Sequence, residues 1–410
     1  MNAKSHATRV VWTLSICTAL ALLGDTTTYA VLPSHYPMLG LLSLQVGWLL
    51  SINRLVRLPL NMASGWLSDH CGAKKPYLAG LALGTFSTVG YGLFTDFWPL
   101  LIFRALWGVA WALLAVAAYK MILDVTVERT RGQLMGLYAL ASLLGSLGSV
   151  FGAFLVDALS FSPAMLILGL ITSLGFLGAL TLPATHSAAP QPEKAKSRTL
   201  FGLGATPQAP WKTLPRFDRR TLTISALNLS HRFFFSGVFY ATLGLYLRSL
   251  LGDQIHLGPS AIGVASLTAL LLFTLSILSV VTGAGAGYLS DRLGDRSPVL
   301  LLGEVSGVTG LILLALSRSS LPIGAGILFG ATAYGIVPPM VMSWMGDLSE
   351  TERHGRTVGI YQTMGDLGSG IGPLVAYALV QAVGIQWVYA ASAGLLCFTI
   401  PLILRVRRWD

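Results

Sequence analysis

Apolar runs long enough to cross a bilayer recur along the whole chain, and nothing else restricts the possible folds so severely. A hydrocarbon core ~30 Å thick takes about 20 helical residues. Twelve such runs lie at approximately 10–32, 44–67, 77–95, 98–120, 134–158, 163–183, 221–250, 260–289, 298–317, 322–346, 357–382 and 386–405. One run alone could be a buried core helix of a water-soluble protein; twelve in series could not. Composition agrees, with 54% of 410 residues apolar and 11% charged, where a soluble domain carries about 25% charged. The first run follows Lys4 and Arg9. It is too long for a signal peptide and lacks a small-residue cleavage site, so it reads as a retained helix.

Lysine and arginine set the orientation. With the N-terminus inside, inner segments hold twenty of the 27 basic residues, the outer side holds Arg248 and Arg318, and five lie within the runs. Both termini are therefore expected in the cytoplasm, and the chain in a plasma membrane, the inner membrane of a bacterium. The formal net charge of +10 follows from basic inner loops and calls for no nucleic acid. Cys17, Cys71 and Cys397 show no paired spacing, so no disulfide framework or metal site is indicated. No cofactor is expected either.

Residues 184–220 break the pattern. They carry Pro190, Pro192, Pro207, Pro210 and Pro215 with seven basic residues, and read as a cytoplasmic linker. The linker separates a six-helix bundle at 1–183 from a second at 221–410. The halves also share sequence: GWLSDHCGAKKP from Gly65 aligns with GYLSDRLGDRSP from Gly287 at an offset of 222. A second echo at offset 223 pairs Gly132, Gly136, Tyr138 and Gly145 with Gly355, Gly359, Tyr361 and Gly368. A duplicated six-helix unit is the sequence signature of a secondary transporter.

With these features the chain resembles the major facilitator superfamily over essentially its full length, and within it the drug and metabolite exporters that are drug:proton antiporters. That family's loop between helices 2 and 3 reads G-x-L-(A/S)-D-(R/K)-x-G-(R/K)-(R/K); here it stands as Gly65, Leu67, Ser68, Asp69, Gly72, Lys74 and Lys75, with His70 and Ala73 departing from it. Its echo is Gly287, Asp291, Arg292 and Gly294. The R-x-x-x-G of helix 4 is Arg104 and Gly108. The resemblance implies an all-α fold of twelve transmembrane helices in two pseudo-symmetric bundles, with helices 1, 4, 7 and 10 lining a central cavity. It also implies that the loop motif and its echo are gating elements, with Asp69 latched against helix 11. The antiporter pattern G-P-x-x-G-G of helix 5 is degraded here to GSVFGA. Gly368, Gly372 and Pro373 on helix 11 match it better, and this glycine-rich face reads as close helix packing.

Ionisable residues inside the runs need a partner or a role, because a charge at the bilayer centre costs ~2.5 kcal/mol or more. They are Asp25, Arg54, Arg57, Arg104, Lys120, Arg232, Glu304 and Asp366. At ~1.5 Å per residue, Asp25 and Arg104 both lie about 10 Å below the outer surface, so they are expected to pair. Arg57 and Asp366 match in depth from the inner surface, and the family's packing makes them a second pair. Asp25 and Asp366 are thus the candidate proton-coupling acids. Arg54 and Arg57, three residues apart, face a wet cavity, an acid or a substrate anion. Candidate substrate contacts are Arg54, Arg57 and Arg104, Trp107 and Trp111 on helix 4, Asn228, His231, Arg232 and Tyr240 on helix 7, and Trp344 on helix 10 beside the bend expected from Pro338 and Pro339. Glu304, on a helix that is peripheral in the family, is expected to have a structural partner.

The sequence contains no catalytic spacing, metal cluster or phosphate loop, so an enzyme is not expected. The expected function is proton-coupled export of an amphipathic organic compound by a monomer whose partners are that small molecule, protons and the lipid bilayer. Five interior bases against three acids favour an anionic or zwitterionic substrate. The alternative is import of an organic anion or metabolite by proton symport or uniport.

Overall fold

The computed structural model describes residues 3–126, 128–183, 219–257, 260–347 and 354–407. The linker expected at 184–220 therefore lies outside the described residues, apart from Arg219 and Arg220. The first half forms α1 (Ala3–His35), α2 (Ser43–Cys71), α3 (Lys74–Leu93), α4 (Phe97–Val125), α5 (Glu128–Leu159) and α6 (Phe161–Ala179). In the second half, α7 (Arg219–His231), a π-helical segment (Arg232–Phe239) and α8 (Tyr240–Leu251) form one uninterrupted span. A short antiparallel hairpin follows, β1 (Gln254–Leu257) with β2 (Ser260–Gly263), Ile255 facing Ile262. Then come α9 (Val264–Leu293), α10 (Ser297–Leu316), α11 (Ser320–Asp347) and α12 (His354–Val383), and a last span made of α13 (Ile385–Leu396) and α14 (Thr399–Arg407).

Twelve helical spans are thus present among the described residues, as the apolar runs require. Ten are long and apolar enough to cross a membrane on their own; α2 and α3 are not. The reason is visible in α2, which carries Asn53, Arg54, Arg57 and Asn61, side chains that need protein neighbours in a bilayer. Large apolar side chains point outward, with Leu170 71%, Phe398 71% and Leu321 84% exposed, as suits a surface solvated by acyl chains. One boundary differs from expectation. Residues 260–263 pair as β2 and the helix starts at Val264. Gly258 and Pro259 are turn residues in the sequence, and Asp157 caps the new helix start through the Ser266 N–H (3.1 Å) and hydroxyl.

Backbone contacts divide the chain into two compact units. The first comprises Met1–Ala188, Tyr240–Ser276 and Pro373–Ala378. Here α1 packs on α5, α6 and α8, α3 on α4 and α6, and α2 on α4, around a core that includes Leu14, Tyr77, Leu81, Trp107, Leu114 and Met121. Small residues let these helices meet: Gly108 lies against the Asn53 carbonyl, and Gly80 against that of Ala110.

The second unit comprises Ala189–Phe239, Ile277–Gly372 and Leu379–Asp410. Its core includes Ile224, Val299, Leu300, Val337, Met340 and Trp344. The face of α12 bearing Gly368 and Gly372 lies on the backbone of the Leu229–Gly237 stretch, so its glycines serve packing. A Cβ at Gly237 would sit 2.7 Å from the Gly372 Cα, closer than helices tolerate. Gly372→Ala should therefore lower the melting temperature of the detergent-solubilised protein clearly more than Gly394→Ala, whose Cβ would meet nothing within 4 Å among the described residues. Equal losses would show that the glycine contact does not matter.

Candidate functional site

Three helices of the first unit converge on one buried charge network. Asp25 and Tyr29 are four residues apart on α1 and so share a face. Arg104 projects from α4, with only 1% of its side chain exposed against 13% for Asp25. Its Nη1 donates to Asp25 Oδ1, and its Nε donates to the Leu49 carbonyl of α2 at 2.8 Å. Asn53 bridges the network, donating from Nδ2 to Asp25 Oδ1 (3.2 Å) while its Oδ1 accepts from the Tyr29 hydroxyl (3.2 Å). The same hydroxyl reaches the Leu50 carbonyl at 3.0 Å and accepts from Arg54 Nε at 3.2 Å. Both guanidiniums lie over the Tyr29 ring, Arg104 at 5.1 Å and Arg54 at 5.6 Å from its centroid, within cation–π range. Tyr240 of α8 meets Tyr29 edge-on at 6.1 Å.

The pair anticipated from helix depth is thus formed, and Arg54 and Tyr240 join it. Asn53, Tyr29 and Tyr91 were not anticipated. For Tyr29 the available signal was its spacing from Asp25; for Asn53 it was a polar neighbour of Arg54 on the same helix. A small cavity of about 10 Å³ adjoins Arg104 between Thr28, Leu49 and Tyr91, room for about one water. Trp107 is 1% exposed, its ring against Gly84 of α3. That face is covered by protein rather than open to a ligand. Trp111 is half-buried beside it, centroids 6.4 Å apart.

The loop-motif residues lie at the junction of α2 and α3. Gly72 (φ +76°) and its echo Gly294 (φ +65°) both adopt the left-handed backbone that glycine takes without strain. Asp69 pairs with Lys120 of α4, which moves one of the five interior bases out of the substrate balance. Lys74 donates to the Leu180 (2.9 Å) and Leu182 carbonyls beyond α6, satisfying acceptors that a helix end leaves open. Gly65 packs loosely near Val116, and Lys75 is exposed. In the echo, a Cβ at Gly287 would meet nothing within 4 Å among the described residues, Arg292 is exposed, and the 77% exposed Asp291 lies 3.7 Å from Arg296.

Second-unit candidates are placed differently from one another. Asn228 ties α7 to α12 through the Tyr361 carbonyl at 2.6 Å. Arg232 opens the π-helical segment and lies against Gly365. Trp344 is 3% exposed within the core of α11. Pro338 and Pro339 sit inside an unbroken α11, and the Pro338 carbonyl accepts from the Tyr361 hydroxyl at 2.9 Å. His231 is buried facing Glu304. Arg57 belongs to the first unit and Asp366 to the second; both are half-buried.

The family model of the Major Facilitator Superfamily matches residues 14–278 and 232–408. The human chromaffin granule amine transporter is 24% identical over 372 residues, covering 88% of this chain, which spans 65% of that protein's length. Multidrug resistance protein MdtG of Escherichia coli is 25% identical over 378 residues, 90% of this chain and 86% of that protein. Among solved structures, a bacterial homolog to the human lysosomal transporter Spinster, inward-facing and unoccupied, superposes with a TM-score of 0.77 at 15% identity, over 99% of this chain and 98% of that one.

The network makes a stability test. Arg104→Ala leaves a carboxylate in the membrane without its cation and should cost roughly 3–5 kcal/mol. Adding Asp25→Asn should recover part of the loss, since no charge is then stranded. Unfolding of the three variants in detergent reads this, and strictly additive losses would deny the coupling.

Proposed function

Because the chain belongs to the major facilitator superfamily, and is therefore a multi-pass membrane transporter rather than an enzyme, we propose that it exports an amphipathic organic compound in exchange for protons. The observation that carries this reading is Asp25, a carboxylate within a membrane helix held by Arg104, Asn53 and the Tyr29 hydroxyl linked to it. Protonation of Asp25 removes the charge that retains Arg104, so the network has two states. A proton favours one and substrate the other, and each ligand shifts the balance by its differential affinity. Arg54, Arg104 and Tyr240 are the substrate contacts this network supplies. Arg57, Trp111 and Arg232 are further candidates, and Asp366 is a second coupling acid. The names of the amine transporter and multidrug resistance relatives support an organic molecule as the substrate. The second reading is import of an organic anion, favoured by the two guanidiniums, Arg54 and Arg104, gathered over the Tyr29 ring.

In this reading the termini and linker face the cytoplasm, and a cysteine placed at Leu200 should label only from that side. Labelling from outside would overturn the orientation. Compounds that raise the melting temperature of the purified protein serve as substrates for flux in proteoliposomes. Asp25→Asn should retain binding and exchange of such a compound while losing accumulation driven by a proton gradient. Gradient-driven accumulation at the wild-type rate would make Asp25 structural.

A further inference from the structure

Buried polar groups with unmet hydrogen-bonding capacity gather at one place in the second unit, remote in sequence from Asp25. His231, the last residue of α7, and Glu304 of α10 are each 1% exposed, and His231 Nδ1 lies 3.8 Å from Glu304 Oε1. That is ion-pair range, and a shift of about 1 Å would bring the two into hydrogen-bond range. Neither imidazole nitrogen and neither carboxyl oxygen has a hydrogen-bond partner among the described residues. Asn228, three residues earlier on the same face of α7, adds its unpartnered Oδ1. Phe235 stacks on the imidazole at 4.7 Å and 25°, and it belongs to the π-helical segment that starts at the next residue. Such π turns are rare and collect at functional sites. The other groups facing the pair are Arg232, beside His231, and the Thr399 hydroxyl, beside Glu304, which donates to the Leu396 carbonyl at 2.6 Å.

A core built only for packing would not hold this arrangement, because each unsatisfied buried polar group costs about 1–3 kcal/mol. The pair is electrically neutral when it holds one exchangeable proton, either on the carboxyl or as a second proton on the imidazole. Losing that proton leaves a single negative charge, with the Arg232 cation adjacent.

We propose that His231 and Glu304 form a further proton-binding site, separate from Asp25, in which one exchangeable proton is shared between the imidazole Nδ1 and the carboxyl Oε1. Its role in transport rests on the proton-coupled reading above: the cycle then carries protons at more than one centre. The site itself is a property of these two side chains and can be tested without substrate or gradient.

The experiment is an infrared pH titration of the protein reconstituted in lipid vesicles, following the carbonyl band of protonated carboxyl groups in H2O and D2O. Glu304→Gln should abolish one titrating component that persists in Asp25→Asn. His231→Gln should keep that component and move its midpoint by about one pH unit or more, as for coupled sites. Glu304→Asp should shift the component rather than remove it, which assigns the band even if Glu304→Gln fails to fold. An unchanged titration in Glu304→Gln and Glu304→Asp, or a wild-type midpoint in His231→Gln, would overturn the site. Either failure leaves the Asp25→Asn flux result standing, and the reverse also holds.

Discussion

A peptide group surrounded by hydrocarbon has no water to bond, and leaving it unsatisfied costs several kcal/mol. Nearly every other feature of this chain follows from that constraint. The backbone satisfies itself as helix over each apolar run, and the one described hairpin, β1–β2, lies between helices rather than within one. Because lipid tails are as apolar as leucine, helices gain little by hiding apolar side chains from lipid. They associate instead through close backbone approach at small residues, as at Gly80, Gly108, Gly237 and Gly372.

The same solvent makes every interior charge expensive, which explains how the polar residues are arranged. Asp25 is held by Arg104 and Asn53 together, and the Tyr29 hydroxyl extends the network to Arg54. Two of the polar side chains that leave α2 short of the apolarity of a lone membrane helix, Asn53 and Arg54, complete this network. Tyrosine and asparagine, each both donor and acceptor, let one network join two guanidiniums to a single carboxylate.

The internal repeat shows which parts of a motif are geometric. Gly72 and Gly294 take the same left-handed turn in both halves, because a side chain would be strained there. The acids three residues before each of these glycines have parted ways: Asp69 meets Lys120 of another helix, whereas Asp291 lies near Arg296 of the turn that follows it. Duplication preserved the turn, while the charge partners diverged.

The class of fold, the twelve spans and the repeat were legible in the residues alone, because length, apolarity and glycine spacing are local and the bilayer reads them directly. The sequence also placed Asp25 and Arg104 at one depth, since rise per residue is fixed. Their neighbours follow from how the helices pack. Asn53 and Tyr29 are ordinary polar residues until three helix faces bring them together. Trp107 looked like a ligand platform until Gly84 was seen to accept its ring. His231 and Glu304 are 73 positions apart, on helices whose depths alone did not suggest a partnership. Lateral packing and rotation about each helix axis set those neighbours, and neither quantity is written in the period or polarity of a single run.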